Sequence, residues 1–352
     1  MPVPLPAWQG IRAFRAAPPA LVASEDARRA TFDAALRQAE ELAEAAAVSG
    51  YAAKPLPLFY ALSQAGRAIA AARLSDAWTL KDHGLSLTGI DRGVLHATVK
   101  PSGGAHASFP RVAQAVGSPG LQQPSPLGAL WAANPDLLSV PVPGADAWPP
   151  ALRIPLEVRD RPPMHGVQHQ DPATSMVSTG GWLTVAVDIA GERASDVRKA
   201  LRPYPTLRDA RPVGPGSDVP DDDPVSRTLD GMGRFSVIVG LAAPGEITLL
   251  DVWDGRDAMC NFIEPSAYPN AGRIGYALPE IAGGQAPQPL MLWWALLLGL
   301  SSIARYEPAA WTAAIDPSSS VLAVGLERVL NLAEAHMPAR VLAALREAAA
   351  PG

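Results

Sequence analysis

The sequence contains one cysteine, Cys260, and this scarcity excludes two classes of architecture. A single thiol cannot form an internal disulfide, and it cannot build a cysteine-rich zinc site. We interpret Cys260 as a small buried hydrophobic residue, which is the usual environment of a free cysteine. The N-terminus also lacks a basic region followed by a continuous apolar run, so we expect no secretory signal and a cytoplasmic location.

Positive charge is scarce as well. Lysine and arginine together number 29 against 34 aspartates and glutamates, which gives a net charge of −5. A protein that coats nucleic acid is normally basic, so the overall charge argues against that function, although a local basic groove is left open. Hydrophobic residues make up 48% of the chain and charged residues 18%, which is typical of a globular rather than a disordered protein.

The sequence motifs of several common enzyme classes are absent. The chain has no Gly-x-Ser-x-Gly elbow, no phosphate-binding loop with Gly-Lys-Ser/Thr and no Gly-x-Gly-x-x-Gly fingerprint. We therefore expect no cofactor, and the sequence favours a non-enzymatic function without deciding the question.

The most apolar stretch of the chain runs from Pro289 to Tyr306. Between Leu290 and Ala304 it contains no charged residue. Proline suits the first turn of a helix, where its missing N–H needs no partner. The fifteen uncharged residues fall short of the roughly 20 that cross a bilayer. The stretch therefore predicts a central core helix, buried on nearly every face, rather than a membrane span.

A second stretch, Pro55–Leu62, repeats the pattern that opens the first one. Both read Pro-Leu-x-Leu-aromatic-aromatic-Ala-Leu, and the second copy is Pro289–Leu296. We expect two buried helices that pack together although some 230 residues separate them. Further helices are predicted at 25–48, 111–116, 125–133, 309–315, 318–335 and 338–349, the last beginning at Pro338.

The middle of the chain favours strands. A hairpin is predicted from 93–99 and 105–109, further strands at 152–158, 182–189, 235–241 and 246–253, and an exposed loop at 202–231. This layout predicts an α+β fold in which the N- and C-terminal helices form one helical core around an inserted strand-rich region. The expected divisions are an extended arm at 1–19, a discontinuous core of 20–85 plus 285–352, and a middle region of 86–284.

Three stretches together resemble one bacterial family. The first is the proline-initiated helix Pro55–Leu62, and the second is the His83-Gly84-Leu85 that follows it. The third is Pro289–Tyr306 with its continuation to Trp311, and its second half reads Leu-Ser-x-x-x-Arg-Tyr-x-Pro-x-x-Trp. They resemble the YaaC-like proteins and bracket about 55–340. The resemblance implies one nearly full-length unit, but it implies no reaction, because the family has no settled activity.

The residues within these stretches offer a candidate site. Arg305 has two interpretations: it complements the dipole at a helix carboxyl end and pairs with a buried acid, or it joins His83 and Tyr306 in a cleft that binds a phosphate or another anionic ligand. Arginine suits the second role, because its planar fork matches phosphate and carboxylate oxygens. Tyr306 and Trp311 are otherwise typical core aromatics.

Two further clusters are weak metal-binding candidates, and we expect no metal at either. His165 and His169 lie close together in a proline-rich loop, where helical ligand geometry is not expected. Asp251, Asp254 and Asp257 follow a predicted strand and could hold magnesium, but Asp-Gly at such a junction also serves ordinary turn chemistry.

A nuclease of the HEPN type would carry an arginine and a histidine a few residues apart at a helix end. Arg161 and His165 have a suitable order but lie in a proline-rich loop, and Arg92 and His96 lie on a predicted strand. If this chain is related to those nucleases, the site has been lost or rebuilt, since geometry must precede any assignment of an acid or base.

Three functions follow from this reading. The preferred one is a non-catalytic cytoplasmic interaction or accessory protein, with a protein partner, in a bacterial defence or stress assembly. The first alternative is a nucleic-acid-directed effector, either a HEPN-like ribonuclease or an RNA or DNA binder. The second is a small-molecule-binding protein. No membrane partner is expected, and formation of homo-oligomers is left open.

Overall fold

The computed structural model describes most of the helical part of the chain and separate segments of the middle. The described residues are 6–104, 106–144, 148–156, 168–170, 177–179, 182–186, 199–208, 211–213, 236–240, 261–264 and 273–349. The chain forms two compact units. One unit joins Met1–Pro150 to Ile281–Gly352, and the other is Ala151–Glu280. The fold is α+β: N- and C-terminal helices pack together, and small antiparallel sheets lie between them in the sequence.

Helices dominate the first unit. They are α1 (Pro6–Ala16), α2 (Ala20–Ala23), α3 (Asp26–Val48), α4 (Pro55–Arg73), α5 (Ser108–Ala115), α6 (Leu127–Ala133), α7 (Pro289–Tyr306), α8 (Pro308–Ala314) and α9 (Ala323–Ala349). Short 3-10 turns lie at Ile90–Arg92, Val94–His96 and Pro135–Leu137. Residues 86–150 thus belong to the same compact unit as the terminal helices.

Helices α4 and α7 are the two proline-started stretches, and they share one interior as predicted. Each has its proline in the first helical turn. Trp293 and Trp294 are fully buried, and the Trp294 ring meets Phe59 of α4 edge-on at 6.4 Å between centroids. Gly66 makes this approach possible, because a Cβ atom there would overlap the Trp294 indole.

Helix α7 is the central core helix. By length and composition alone it could cross a membrane, and it is the one such helix in the part of the chain that the structure describes. Within the protein 78% of it is buried. This burial agrees with the core helix predicted from the sequence.

A buried polar cluster ties α7 to α9. Asp136 accepts a hydrogen bond of 2.8 Å from the Trp293 indole N–H and one of 3.2 Å from Nε of Arg340, which also bonds it through a second guanidinium nitrogen. The His336 ring lies 3.7 Å from the same carboxylate. Burial alone would raise the pKa of Asp136, but the hydrogen bonds and charge of Arg340 outweigh it, so the pKa lies below its ordinary value.

The N-terminal segment differs from the prediction of an extended arm. Residues 6–16 form α1, which packs against α9, and Trp8 and Ile11 are buried. The prolines near the N-terminus suggested extension, but Pro6 lies in the first turn, where a missing N–H costs nothing.

The predicted hairpin of 93–99 with 105–109 is wrong. The strands are β1 (Leu85–Thr88), β2 (Thr98–Pro101) and β3 (Ser125–Pro126), and they form an antiparallel sheet in the order β1-β2-β3. Gly89 and Gly93 have φ of 72° and 90°, so the chain leaves β1 in a turn before it reaches β2. Ser108 and Phe109, which were predicted to lie in the partner strand, are instead the first residues of α5.

Pro338 does not begin a helix of its own. It lies inside α9, which continues through it, although an interior proline removes one backbone hydrogen bond. Met337, Pro338 and Val341 are all buried, so packing of this segment into the core offsets that loss.

The second unit contains small antiparallel sheets. Its strands are β4 (Leu152–Leu156), β5 (Gln168–Gln170), β6 (Val177–Thr179), β7 (Trp182–Ala186), β8 (Arg211–Val213), β9 (Ser236–Gly240), β10 (Phe262–Ile263) and β11 (Arg273–Ala277). They pair as β10-β11-β4, β7-β9-β8 and β5-β6. A tight hairpin of β12 (Glu280–Ile281) and β13 (Gly284–Gln285) follows.

The strand predictions at 152–158, 182–189 and 235–241 are confirmed by β4, β7 and β9. The predicted exposed loop is wrong in its first part, because Tyr204 and Leu207 are buried and β8 follows them. The predicted strand at 246–253 and Cys260 lie outside the described residues.

Candidate ligand-binding cleft

A cleft of about 470 Å³ opens in the first unit between α4, α7 and β1. Pockets of this size suit small organic ligands, which commonly occupy about 300–1,000 Å³. The lining residues come from these three elements and from the segments just before and after β1: Leu56, Phe59, Tyr60, His83, Leu85, Ser86, Leu87, Ile90, Leu298, Ser301, Ser302, Arg305 and Tyr306.

The floor of the cleft is apolar. Phe59, Leu85 and Leu298 are each less than a tenth exposed. On α7, Leu298, Ser301 and Arg305 line the cleft together because residues three or four apart share one face of a helix. A ligand with an apolar body would therefore bury that body against these side chains.

The rim carries the polar and aromatic groups. The Arg305 guanidinium lies 5.0 Å from the centre of the Tyr306 ring and donates a hydrogen bond of 3.4 Å to the Tyr60 hydroxyl. The His83 ring lies 5.1 Å from the ring of Phe59 and 6.2 Å from that of Tyr60. Tyr306 is 65% exposed, so the cation and its stacked ring are open to solvent.

The electrostatics of the rim favour an anion. Within the described residues no carboxylate lies within ion-pairing distance of Arg305. Partial burial lowers the pKa of His83; Asp82 opposes this effect, and the positive charges of Arg67 and Arg305 add to it. His83 is therefore mostly neutral at neutral pH, and a bound anion would favour its protonation.

Neighbouring charges near the cleft already have structural partners. Asp82 accepts a hydrogen bond of 2.9 Å from the backbone N–H of Gly84, which closes the turn that leads into β1. Arg67 donates to the backbone oxygen of Leu80 at 3.0 Å. Neither side chain lines the cleft, so both affect the electrostatic potential at the site without contacting a ligand there.

The predicted site residues His83, Arg305 and Tyr306 lie together on this rim. Arg305 lies in the last turn of α7, where its charge complements the helix dipole as predicted. The buried acid Asp136 pairs with Arg340 and not with Arg305. Tyr306 is exposed rather than part of the core, while Trp311 is buried as expected.

Sequence reasoning missed Tyr60 and Ser86 as members of the cleft. Tyr60 is the second of the paired aromatics in the Pro55–Leu62 motif. Its position next to Phe59, which is predicted to be buried, could have indicated that it lies at the edge of the core, where it lines the cleft. The Ser86 hydroxyl gave no such signal. It is shielded from solvent and has no hydrogen-bond partner among the residues that the structure describes.

The weak metal candidates cannot be placed at a site. His165, Asp251, Asp254 and Asp257 lie outside the described residues, and His169 is described only as backbone in β5. In the described ranges, no group of three or more His, Cys, Asp or Glu side chains could hold a metal ion.

The family model of the YaaC-like proteins matches residues 17–140 and 252–345. The chain belongs to the YaaC-like family. Every residue that lines the cleft falls within the two matched segments, so the cleft is built from the part of the chain that carries the family pattern. No curated protein and no solved structure matches the chain. The family is uncharacterised, so membership supplies no activity.

Proposed function

We propose that this protein is a non-catalytic ligand-binding protein whose cleft takes a small organic anion, a carboxylate or phosphate attached to an apolar body. The observation that carries the proposal is Arg305, a cation without a carboxylate partner in the described residues, at the rim of an apolar cleft. Its planar fork can bind two oxygens of one anion, and the Phe59 and Leu298 side chains can bury the rest of the ligand.

The cleft supports binding better than catalysis. The Ser301 hydroxyl donates to the Leu298 carbonyl, 2.9 Å away, so it is held by its own helix. The Ser86 hydroxyl has no hydrogen bond to His83 or to any other described group that could act as its base. A nucleophile needs an adjacent base to be activated, and these two serines lack one.

Nucleic acid is the second candidate ligand, and Tyr306 is the observation that favours it. An exposed aromatic ring beside an arginine can stack a base while the guanidinium binds a phosphate. The net charge of −5 gives little further attraction for a long polyanion.

Calorimetric titration with benzoate, phenyl phosphate, inorganic phosphate and a short single-stranded RNA tests the proposal. We expect the two aromatic anions to bind and Arg305→Gln to weaken them about 10- to 100-fold, from the roughly 1.5–3 kcal/mol of a hydrogen bond to a charged group. Arg346→Gln is the matched control, because Arg346 also lies in the last turn of a helix but does not line the cleft.

The proposal fails if neither benzoate nor phenyl phosphate binds, or if both bind equally well to wild type and to Arg305→Gln. Salt-sensitive binding of the RNA, with no binding of the two small anions, would favour the nucleic-acid candidate instead.

A further inference from the structure

Strand β1 meets the cleft with its edge. Leu85, Ser86 and Leu87 all line the cleft, although consecutive side chains of a strand point to opposite faces of the sheet. Contact of one cavity with three consecutive residues is the arrangement expected where a cavity lies along a strand edge. The other edge is occupied, because β1 pairs with β2, from Leu85 opposite Pro101 to Thr88 opposite Thr98.

In the part of the chain that the structure describes, the backbone groups on this edge have no hydrogen-bond partners. The Gly84 carbonyl accepts the Ser102 N–H at 3.0 Å, so Gly84, and by alternation Ser86, direct their backbone groups towards β2. Leu85 and Leu87 then direct theirs towards the cleft. Pro101, opposite Leu85, has no N–H to offer, which fits this register.

Across the described ranges, no backbone hydrogen bond is made by Leu85 or Leu87 on the cleft side. Leu85 is only 6% exposed, and the Ser86 hydroxyl beside it is also unpartnered in that part of the chain. Buried backbone groups are almost always hydrogen-bonded, because leaving one unpaired costs free energy. The edge therefore offers backbone groups that a ligand in the cleft can hydrogen-bond.

The positive charge at one end of the cleft determines the orientation of a bound peptide relative to β1. Tyr60 links the two basic residues of the rim: its hydroxyl accepts a hydrogen bond from Arg305, and its ring lies 6.2 Å from the ring of His83. His83 lies just before β1, so the cationic end of the cleft is the N-terminal end of β1. Ile90 lies at the opposite end. A peptide that runs antiparallel to β1 would bring its C-terminal carboxylate to Arg305. A parallel peptide would bring a positively charged amino terminus there and would be repelled.

We infer that the anion bound by the cleft is the C-terminal carboxylate of an extended peptide, which adds as a short antiparallel strand to the free edge of β1. This inference rests on the proposed function and names its ligand class. Backbone hydrogen bonds to Leu85 and Leu87 hold the peptide, as in other cases of strand addition. Its last side chain is apolar, because Phe59 and Leu298 form the floor.

A library of N-terminally tagged octapeptides with the last four positions randomised is the probe, selected on the full-length protein and followed by fluorescence polarisation. We expect selection of peptides with an apolar last residue. Amidation of their C-terminus should weaken binding at least tenfold, and Arg305→Gln should cause a loss of similar size that amidation does not increase. Arg346→Gln should leave binding unchanged.

N-methylation of single peptide amides tests strand pairing without altering the protein. Methylation of alternate amides, those that face β1, should weaken binding at least tenfold, whereas methylation of the amides between them should change it less than threefold. A uniform effect at every amide would contradict strand addition.

These experiments distinguish failure of the peptide inference from failure of the proposed anion-binding function. If benzoate and phenyl phosphate bind through Arg305 but no peptide is selected, or amidation has no effect, the peptide inference is overturned and the proposed function stands. If neither class of probe binds, both are overturned.

Discussion

The guanidinium of Arg305 donates a hydrogen bond to the hydroxyl of Tyr60, 3.4 Å away, although 245 positions separate the two residues. The bond joins the last turn of α7 to the early part of α4, the two proline-started helices. Below it, Phe59 and Trp294 pack ring against ring. The packing that builds the core of the first unit thus also places the cation at the mouth of the cleft.

The first prediction concerns the geometry of Arg305. Arg305→Lys keeps the positive charge but replaces the planar fork with a point charge. We expect benzoate affinity to fall in the order wild type, Arg305→Lys, Arg305→Gln, measured by calorimetry. Equal affinity of the wild type and the lysine variant would show that charge alone, and not the fork, holds the anion.

The second prediction is a pH dependence that comes from His83. Its pKa lies below the ordinary value of 6.5, so the imidazole is neutral at pH 7.5 and becomes protonated as the pH falls through that lowered pKa. Protonation adds a positive charge at the rim, and benzoate remains ionised throughout pH 5–7.5. Benzoate affinity should therefore rise as the pH falls over this window.

His83→Gln tests whether protonation of His83 causes the rise in benzoate affinity at low pH. It keeps a polar side chain that does not titrate, so the increase in affinity at low pH should disappear while affinity at pH 7.5 stays close to that of wild type. A pH profile that is the same in the variant and in wild type would rule out His83 as the titrating group.

The third prediction concerns the buried cluster around Asp136. Asp136→Asn keeps the shape of the side chain but removes the negative charge that binds the buried guanidinium of Arg340. Breaking a buried pair in this way costs about 3–5 kcal/mol, so the urea midpoint should fall markedly. Asp76→Asn, which removes an exposed carboxylate that pairs with Arg111, is the control and should cost at most about 1 kcal/mol.

The lowered pKa of Asp136 also predicts how the free energy of unfolding changes as the pH falls. Because the folded-state pKa of Asp136 is lowered, its contribution is present above the ordinary value of 3.8 and is lost as the pH falls through the folded pKa. The stability gap between wild type and Asp136→Asn should accordingly narrow below about pH 3.8 in urea titrations. A gap that widens on acidification would contradict the lowered pKa.

The fourth prediction tests the contact between α4 and α7. In Gly66→Ala the new methyl group would overlap the indole of Trp294, a rigid ring that is fully buried. Overpacking costs about 1–3 kcal/mol, which exceeds the gain of up to about 1 kcal/mol from replacing glycine in a helix. Gly50→Ala has no atom within 4 Å of the added methyl and should change the urea midpoint little. A stabilised Gly66→Ala would show that the helices are not in this contact.

The sequence predicted the parts of the fold that depend on local chemistry. Pro55 and Pro289 mark the starts of α4 and α7 because a first-turn proline costs nothing, and the uniform apolarity of α7 predicted its burial. His83 and Arg305 were found as a possible site because both lie in segments that resemble the family, and the structure places both on one rim.

The sequence could not predict features that depend on tertiary contacts. The free edge of β1 follows from its register with β2, and that register depends on turns that Gly89 and Gly93 make with positive φ. Pro338 looked like a helix start, and only its burial in the core explains why α9 runs through it. The function of the cleft stays a proposal.

A crystal structure with 4-bromobenzoate, located by the anomalous signal of bromine, tests the central claim most directly. We predict that the carboxylate binds the Arg305 guanidinium and that the bromine lies against Phe59 and Leu298. Bromine found only elsewhere on the protein, or a cleft that stays empty at saturating ligand, would contradict it.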